Sequence, residues 1–173
     1  MGKSLRIMRI YSDSTVDGEG FRDVVFVNMC CHHCEKCHNP ESWDYNRGIE
    51  VPVENVFKTL KANKVSDVTF SGGEPFLQCE SLIELAKLIK TQTKKTIWIY
   101  SGFTFEELIV DPVKYELLKH CDVLVDGKFD YTQADEQLLF RGSRNQRVID
   151  INKSLIHGMA ITYVPAAEQK GWV

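Results

Sequence analysis

Four of the chain's six cysteines fall within eight residues, in Cys30-Cys31-His32-His33-Cys34-Glu35-Lys36-Cys37. The apolar stretch 24–28 reads as a strand that runs directly into them. Cysteines this crowded cannot staple distant segments through disulfides, because each bridge needs its own separation and direction between two backbones. The cluster therefore asks for a reduced compartment, and for a fold in which a strand end presents a loop that turns several thiolates toward one point.

The spacing allows two registers. Cys30, Cys34 and Cys37 form C-x3-C-x2-C, which can place three thiolates on one iron-sulfur cubane and leave its fourth iron open to a substrate. Cys31, Cys34 and Cys37 form C-x2-C-x2-C, the opening of a bacterial ferredoxin run; that run continues with a fourth cysteine and a proline, and here Asn39-Pro40-Glu41 follows. A structural zinc site is the third reading, with a fourth ligand from Cys31, His32, His33 or His38. No distant C-x2-C or His-x3-His arm accompanies it. Cys79 and Cys121 read as small apolar fillers at a helix start and a strand start.

Short apolar runs at 68–70, 97–100 and 122–125 read as further strands, and 53–62, 82–89 and 105–119 carry apolar residues at helical spacing, the last interrupted at Asp111-Pro112. Strands alternating with helices predict βαβ units, a parallel sheet and a site at its carboxyl edge. Such units are too few for a closed eight-stranded barrel. The expected fold is α/β, an open partial (β/α) barrel whose parallel sheet has about four to six strands, with 146–151 as a possible further one. The 173 residues, 43% hydrophobic and 26% charged, predict a single domain over 1–173, with 155–173 a weakly ordered tail. A net charge of -3 supplies no general basic field for nucleic acid. No apolar run approaches the roughly 18 residues of a membrane span, and 1–9 lacks a signal core, so a cytoplasmic location is the default expectation.

Ser71-Gly72-Gly73-Glu74-Pro75 closes the 68–70 strand. Two residues without side chains let a ligand approach the backbone, and the Glu74 carboxylate can accept hydrogen bonds from an ammonium group. The same string is also an ordinary strand-to-helix turn with Pro75 at the first helical position.

The cysteine loop after one strand and the Gly-Gly-Glu turn after the next together resemble the radical S-adenosylmethionine (SAM) superfamily. The resemblance implies one 4Fe-4S cluster on Cys30, Cys34 and Cys37, with SAM as cofactor. It implies that Gly72, Gly73 and Glu74 hold the amino group of SAM, and that the backbone at Lys36 and His38 meets the adenine. Many members carry an aromatic residue just before the third cysteine, where this chain has Lys36. Val16-Asp17-Gly18-Glu19-Gly20-Phe21-Arg22 looks like the segment before the cluster in glycyl-radical enzyme activases. Ile97-Trp98-Ile99-Tyr100-Ser101-Gly102-Phe103, Val123-Leu124-Val125-Asp126-Gly127-Lys128-Phe129 and Arg141-Gly142-Ser143-Arg144-Asn145-Gln146 are similar to the activating proteins of anaerobic, class III ribonucleotide reductases. The resemblance covers about residues 9–154.

That family implies a 5'-deoxyadenosyl radical that takes a hydrogen atom from a glycine of the reductase large subunit, with a flavodoxin or ferredoxin as electron donor and neither nucleic acid nor membrane as partner. An activase of pyruvate formate-lyase, or a radical SAM enzyme for a small pterin, is the competing enzyme reading. A zinc-stabilised interaction module is the non-enzymatic one. Other residues keep two readings. Asp126-Gly127-Lys128 is a solvated turn or part of an active site; Arg141, Arg144 and Arg147 grip carboxylates or face solvent; His32 and His33 tune a cluster through hydrogen bonds or stand idle.

Overall fold

A computed structural model describes residues 2–166. Its frame is one sheet of seven strands, β1 (Ser4–Ser14), β2 (Arg22–Val27), β3 (Ile49–Pro52), β4 (Asp67–Gly72), β5 (Ile97–Tyr100), β6 (Val123–Asp126) and β7 (Arg147–Asp150), in the order β3-β1-β2-β4-β5-β6-β7. The four strands β2, β4, β5 and β6 run parallel. The expected parallel sheet is thus present, but as the centre of a larger mixed one, because β1, β3 and β7 pair antiparallel at its sides. Flanking strands announce themselves weakly. In β1 only Leu5, Ile7 and Ser14 are buried, and β3 has no buried residue and ends in a proline, as an edge strand tolerates.

Five helices accompany the sheet, α1 (Val53–Ala62), α2 (Cys79–Gln92), α3 (Phe105–Ile109), α4 (Pro112–Leu118) and α5 (Ile151–His157). Val53, Val56, Phe57 and Leu60 form the buried stripe of α1, and Leu82, Leu85, Ala86 and Ile89 that of α2. These stripes pack with Val25, Val27, Val68, Phe70, Ile97, Ile99 and Leu124 in the main core. Alternate residues point the other way: Trp98, Val123 and Val125 form a small cluster with Tyr100, Phe140, Val148 and Tyr163. The break expected at Asp111-Pro112 is real, since Asp111 caps α4 by accepting from the amides of Val113 and Lys114.

Arg22 lies on that second face, 1% exposed, donating to Thr69 Oγ1, to the Val68 and Thr96 carbonyls and to the Glu19 carbonyl. Its guanidinium sits 5.4 Å from the Trp98 ring centroid, and burial pushes its pKa down to about 10. The arginine ends the Val16-to-Arg22 segment by tying it beneath the sheet.

Beyond residue 155 the chain keeps contacts with the sheet as far as 166. Thr162 bridges Ile149 at the free edge of β7, and the Tyr163 amide donates to the Val148 carbonyl at 2.9 Å. The Tyr163 hydroxyl and the Ala166 amide both reach the Glu19 carboxylate. Pairing along one edge leaves no helical or strand period to read, which is why this stretch looks unstructured in sequence. The remainder of the expected tail, 167–173, lies outside the described residues. Among the described residues no helix is long and apolar enough to cross a membrane.

Candidate iron-sulfur and cofactor site

The loops that leave β2, β4, β5 and β6 at their carboxyl ends meet around a cavity of about 300 Å³, the small end of the range for a nucleoside-sized ligand. Cys30, Cys34 and Cys37 all line it, and so do Gly72 and Gly73 from across the sheet edge. Cys31 is exposed and does not. Cys30, Cys34 and Cys37 thus share one cavity, and Cys31 stands apart from it.

The loop reaches this shape through three non-glycine residues in left-handed conformation, Met29 (φ 73), His33 (φ 48) and Lys36 (φ 56). Each costs on the order of 1 kcal/mol, so the surroundings must hold them. Met29 is clamped from both sides, its amide donating to the Ser42 carbonyl and its carbonyl accepting from the Glu74 amide, each at 2.7 Å. Burial raises the pKa of the Cys30 and Cys34 thiols, and backbone N–H groups pull the other way: those of His32 and His33 at Cys30, and that of Phe129 at Cys34. The Asn39 amide donates to Cys37 Sγ at 3.4 Å. Amides aimed at sulfur are the environment a thiolate or a sulfide-bearing cluster needs. Among the described residues, no three His, Cys, Asp or Glu side chains are gathered tightly enough to hold a single metal ion.

The other two cysteines are packing residues. Burial pushes the Cys79 thiol up to about 12 and the fully buried Cys121 higher still. Iodoacetamide at pH 8 is therefore expected to modify the four loop cysteines of the folded, cluster-free protein and spare Cys79 and Cys121 until denaturant is added. Peptide mapping by mass spectrometry checks this; early modification of Cys79 or Cys121 would contradict it.

At the glycine turn, chain meets chain. The Gly73 amide donates to the Val27 carbonyl at 2.8 Å, and Gly72 has φ 105. Glu74 is buried in the protein. Its carboxylate is 0% exposed and accepts from the Phe76 amide, the Ser101 hydroxyl, the Gly102 amide and the His32 ring, so it is occupied by protein and does not line the cavity. Lys36 is exposed, with its ammonium 4.1 Å from the centroid of Tyr131, and it too stands off the cavity. His38 does line it, its ring 4.8 Å from that of Phe129.

The motif after β6 proves structural at its first residue. Asp126 is 1% exposed, paired with Arg147 Nε at 3.0 Å and capped by the Phe105 amide at 2.7 Å, while Arg147 also holds Glu106 at 2.7 Å. These pairs raise the Arg147 pKa and lower that of Glu106. Arg144 pairs with Asp135 and Arg141 donates to the Gln146 carbonyl, so the three arginines face three different internal partners and make no common anion grip. Gln146 staples the last motif, its Nε2 donating to the Gly127 carbonyl and its Oε1 accepting from the Gly142 and Ser143 amides.

Asp17, Ser101, Gly102 and Phe129 share the cavity wall and were not singled out from sequence. Their signal is position: Ser101, Gly102 and Phe129 follow strand ends, where such folds place their sites.

A family profile described as "4Fe-4S single cluster domain" matches residues 16–149. The chain is 34% identical over 150 residues to the anaerobic ribonucleoside-triphosphate reductase-activating protein of Haemophilus influenzae, covering 82% of this chain and 96% of that protein. To the protein of the same name from Enterobacteria phage T4 it is 33% identical over 146 residues, 81% and 90% of the two chains. A pyruvate formate-lyase-activating enzyme from Clostridium pasteurianum is 40% identical over 130 residues, 71% of this chain but 52% of that enzyme. With a cysteine-lined cavity at the sheet edge and near-full-length relatives of one name, the chain belongs to the family of anaerobic ribonucleoside-triphosphate reductase-activating proteins and carries their 4Fe-4S single cluster domain.

Proposed function

We propose that this protein is a radical SAM activase that installs a glycyl radical on the large subunit of anaerobic ribonucleotide reductase. The observation that carries the reading is the placement of Cys30, Cys34 and Cys37, without Cys31, on the same cavity into which the Gly72-Gly73 turn opens. When bound, the 4Fe-4S cluster and SAM supply an electron and a 5'-deoxyadenosyl group, so that SAM is cleaved to methionine and a radical able to take a hydrogen atom from glycine. The chain's own part is to bind and to shield. Cys30, Cys34 and Cys37 hold the cluster, the backbone of Gly72 and Gly73 receives the amino group, and His38 with Phe129 borders the far wall, where the adenine is proposed to lie. Glycine suits the reaction because it has no Cβ to block close approach.

In this reading the four parallel strands act as the open partial barrel of the superfamily, the chain works as one domain, and the reduced thiols suit an anaerobic cytoplasm with a flavodoxin or ferredoxin as donor. Pyruvate formate-lyase is the competing protein substrate. Against it, this chain matches about half of that activase and nearly all of the reductase-activating proteins. The test is anaerobic reconstitution with iron and sulfide, followed by reduction with SAM present. Methionine and 5'-deoxyadenosine are expected, with a glycyl radical signal on the reductase. The signal on pyruvate formate-lyase instead would reassign the substrate, and neither product from a well-loaded protein would end the catalytic claim.

A further inference from the structure

Three motifs far apart in sequence meet on one buried carboxylate. Glu74 comes from the glycine turn, His32 from the cysteine loop, and Ser101 with Gly102 from the end of β5. His32 Nε2 lies 2.7 Å from Glu74 Oε2, with side chains 6% and 0% exposed. The carboxylate offers acceptors only, so the ring nitrogen donates. The same carboxylate takes the Ser101 hydroxyl at 3.0 and 3.1 Å, the Gly102 amide at 2.9 Å and the Phe76 amide at 3.0 Å. The imidazole is gripped on its other sides as well: it meets Phe103 edge to face at 4.6 Å and 73°, and a Cβ at Gly102 would stand 2.3 Å from its Cδ2. Gly102 is thus a glycine because the His32 ring occupies its side-chain space. Neighbouring His33 has no such setting; it is exposed, its ring 4.8 Å from that of Trp43.

His32 also stands two residues after Cys30 in the same loop, and Glu74 directly follows the glycine pair. One residue therefore joins the first cysteine to the carboxylate that seats the glycine turn. We infer that His32 is a positioning residue, which through its hydrogen bond to Glu74 fixes Cys30 relative to the Gly72-Gly73 turn and so sets the distance between cluster and bound SAM. This deepens the proposed function and rests on it. The role is that of a fixed donor, and no proton is transferred.

The test compares His32→Leu, which removes the donor, with His32→Gln, whose amide nitrogen can occupy the place of Nε2, and with Glu74→Gln, which sets an amide N–H₂ against donors. The first readout uses cluster-free protein, as the rate of Cys30 alkylation followed by peptide mapping. A charge-assisted hydrogen bond of about 1.5 kcal/mol corresponds to about a tenfold change. His32→Leu and Glu74→Gln are expected to speed Cys30 alkylation by about that factor, and His32→Gln to stay within about threefold of wild type. In reconstituted protein, His32→Leu should raise KM for SAM about tenfold with a smaller effect on kcat, and should alter the change that SAM makes in the electron paramagnetic resonance spectrum of the reduced cluster. The double variant His32→Leu/Glu74→Gln should be no worse than either single one. Additive losses, or wild-type Cys30 rates in His32→Leu, would overturn the inference. If His32→Leu does not fold, His32→Gln and Glu74→Gln decide by the same rate: slow and fast support it, both slow defeat it. A wild-type protein that forms no cluster would refute the proposed function while the alkylation result still stood.

Discussion

Replacing Cys30 with serine is expected to abolish cluster assembly and SAM cleavage, whereas replacing Cys31 with serine is expected to leave both within about twofold of wild type. The expected loss for Cys30→Ser is at least on the order of a hundredfold in cleavage rate, about 2.7 kcal/mol of barrier, since a cluster lacking one of its three thiolates has no comparable protein ligand to take the place. Cys31 is the neighbour that would be suspected of substituting, and it is exposed away from the cavity. To bring Cys31 inward, the chain would have to rearrange the loop next to the His32 ring, which is seated on Glu74. Iron and sulfide analysis after anaerobic reconstitution, with 5'-deoxyadenosine quantified, reads both variants. Loss on Cys31→Ser with retention on Cys30→Ser would move the site to the ferredoxin-like register.

Gly73→Ala is the second large effect. A Cβ at this position would lie 2.0 Å from the Met29 carbonyl oxygen and 2.7 Å from its carbon, both backbone atoms. Neither side can retreat cheaply, because the Gly73 amide is bonded to the Val27 carbonyl and the Glu74 amide to that same Met29 carbonyl. Overpacking of this kind costs about 3 kcal/mol, or roughly 6–12 °C of melting temperature for a chain of this size. The same displacement moves the left-handed Met29 that starts the cysteine loop, so cluster loading should fall together with stability. Gly20→Ala is the control: Gly20 has φ 77 but nothing within 4 Å of its would-be Cβ, and the expected cost is about 1 kcal/mol of backbone strain alone. Equal melting temperatures for Gly73→Ala and Gly20→Ala would defeat the close-approach argument.

The parallel centre of the sheet and its helices were legible because their residues are buried in a regular pattern. Val68 and Phe70, or Ile97 and Ile99, face the main core, and the apolar stripe of α1 recurs every three or four residues. β1 carries a period-two signal in Leu5 and Ile7, diluted by the half-exposed residues that follow. β3 is too short to show any period, and the stretch that covers β7 is ordered by single hydrogen bonds. Charged residues were less legible for a different reason. A sequence does not reveal whether a carboxylate faces water or an internal donor, so Glu74 read as a ligand for an ammonium and Asp126 as a solvated turn or an active-site group, whereas both are buried and fully engaged.

What the sequence by itself determined is the chemistry on offer: three cysteines at a spacing that suits a cubane, a strand that delivers them, and a glycine turn after the next strand. These are local properties, set by neighbours along the chain and by the absence of side chains at two positions. Which of the four clustered cysteines share a cavity, and that the acidic residue of the turn is buried among protein donors, was decided only by tertiary structure. Both depend on Cys30, His32, Glu74 and Ser101 coming together from segments up to 71 residues apart, and burial there turns a polar side chain into a fixed partner.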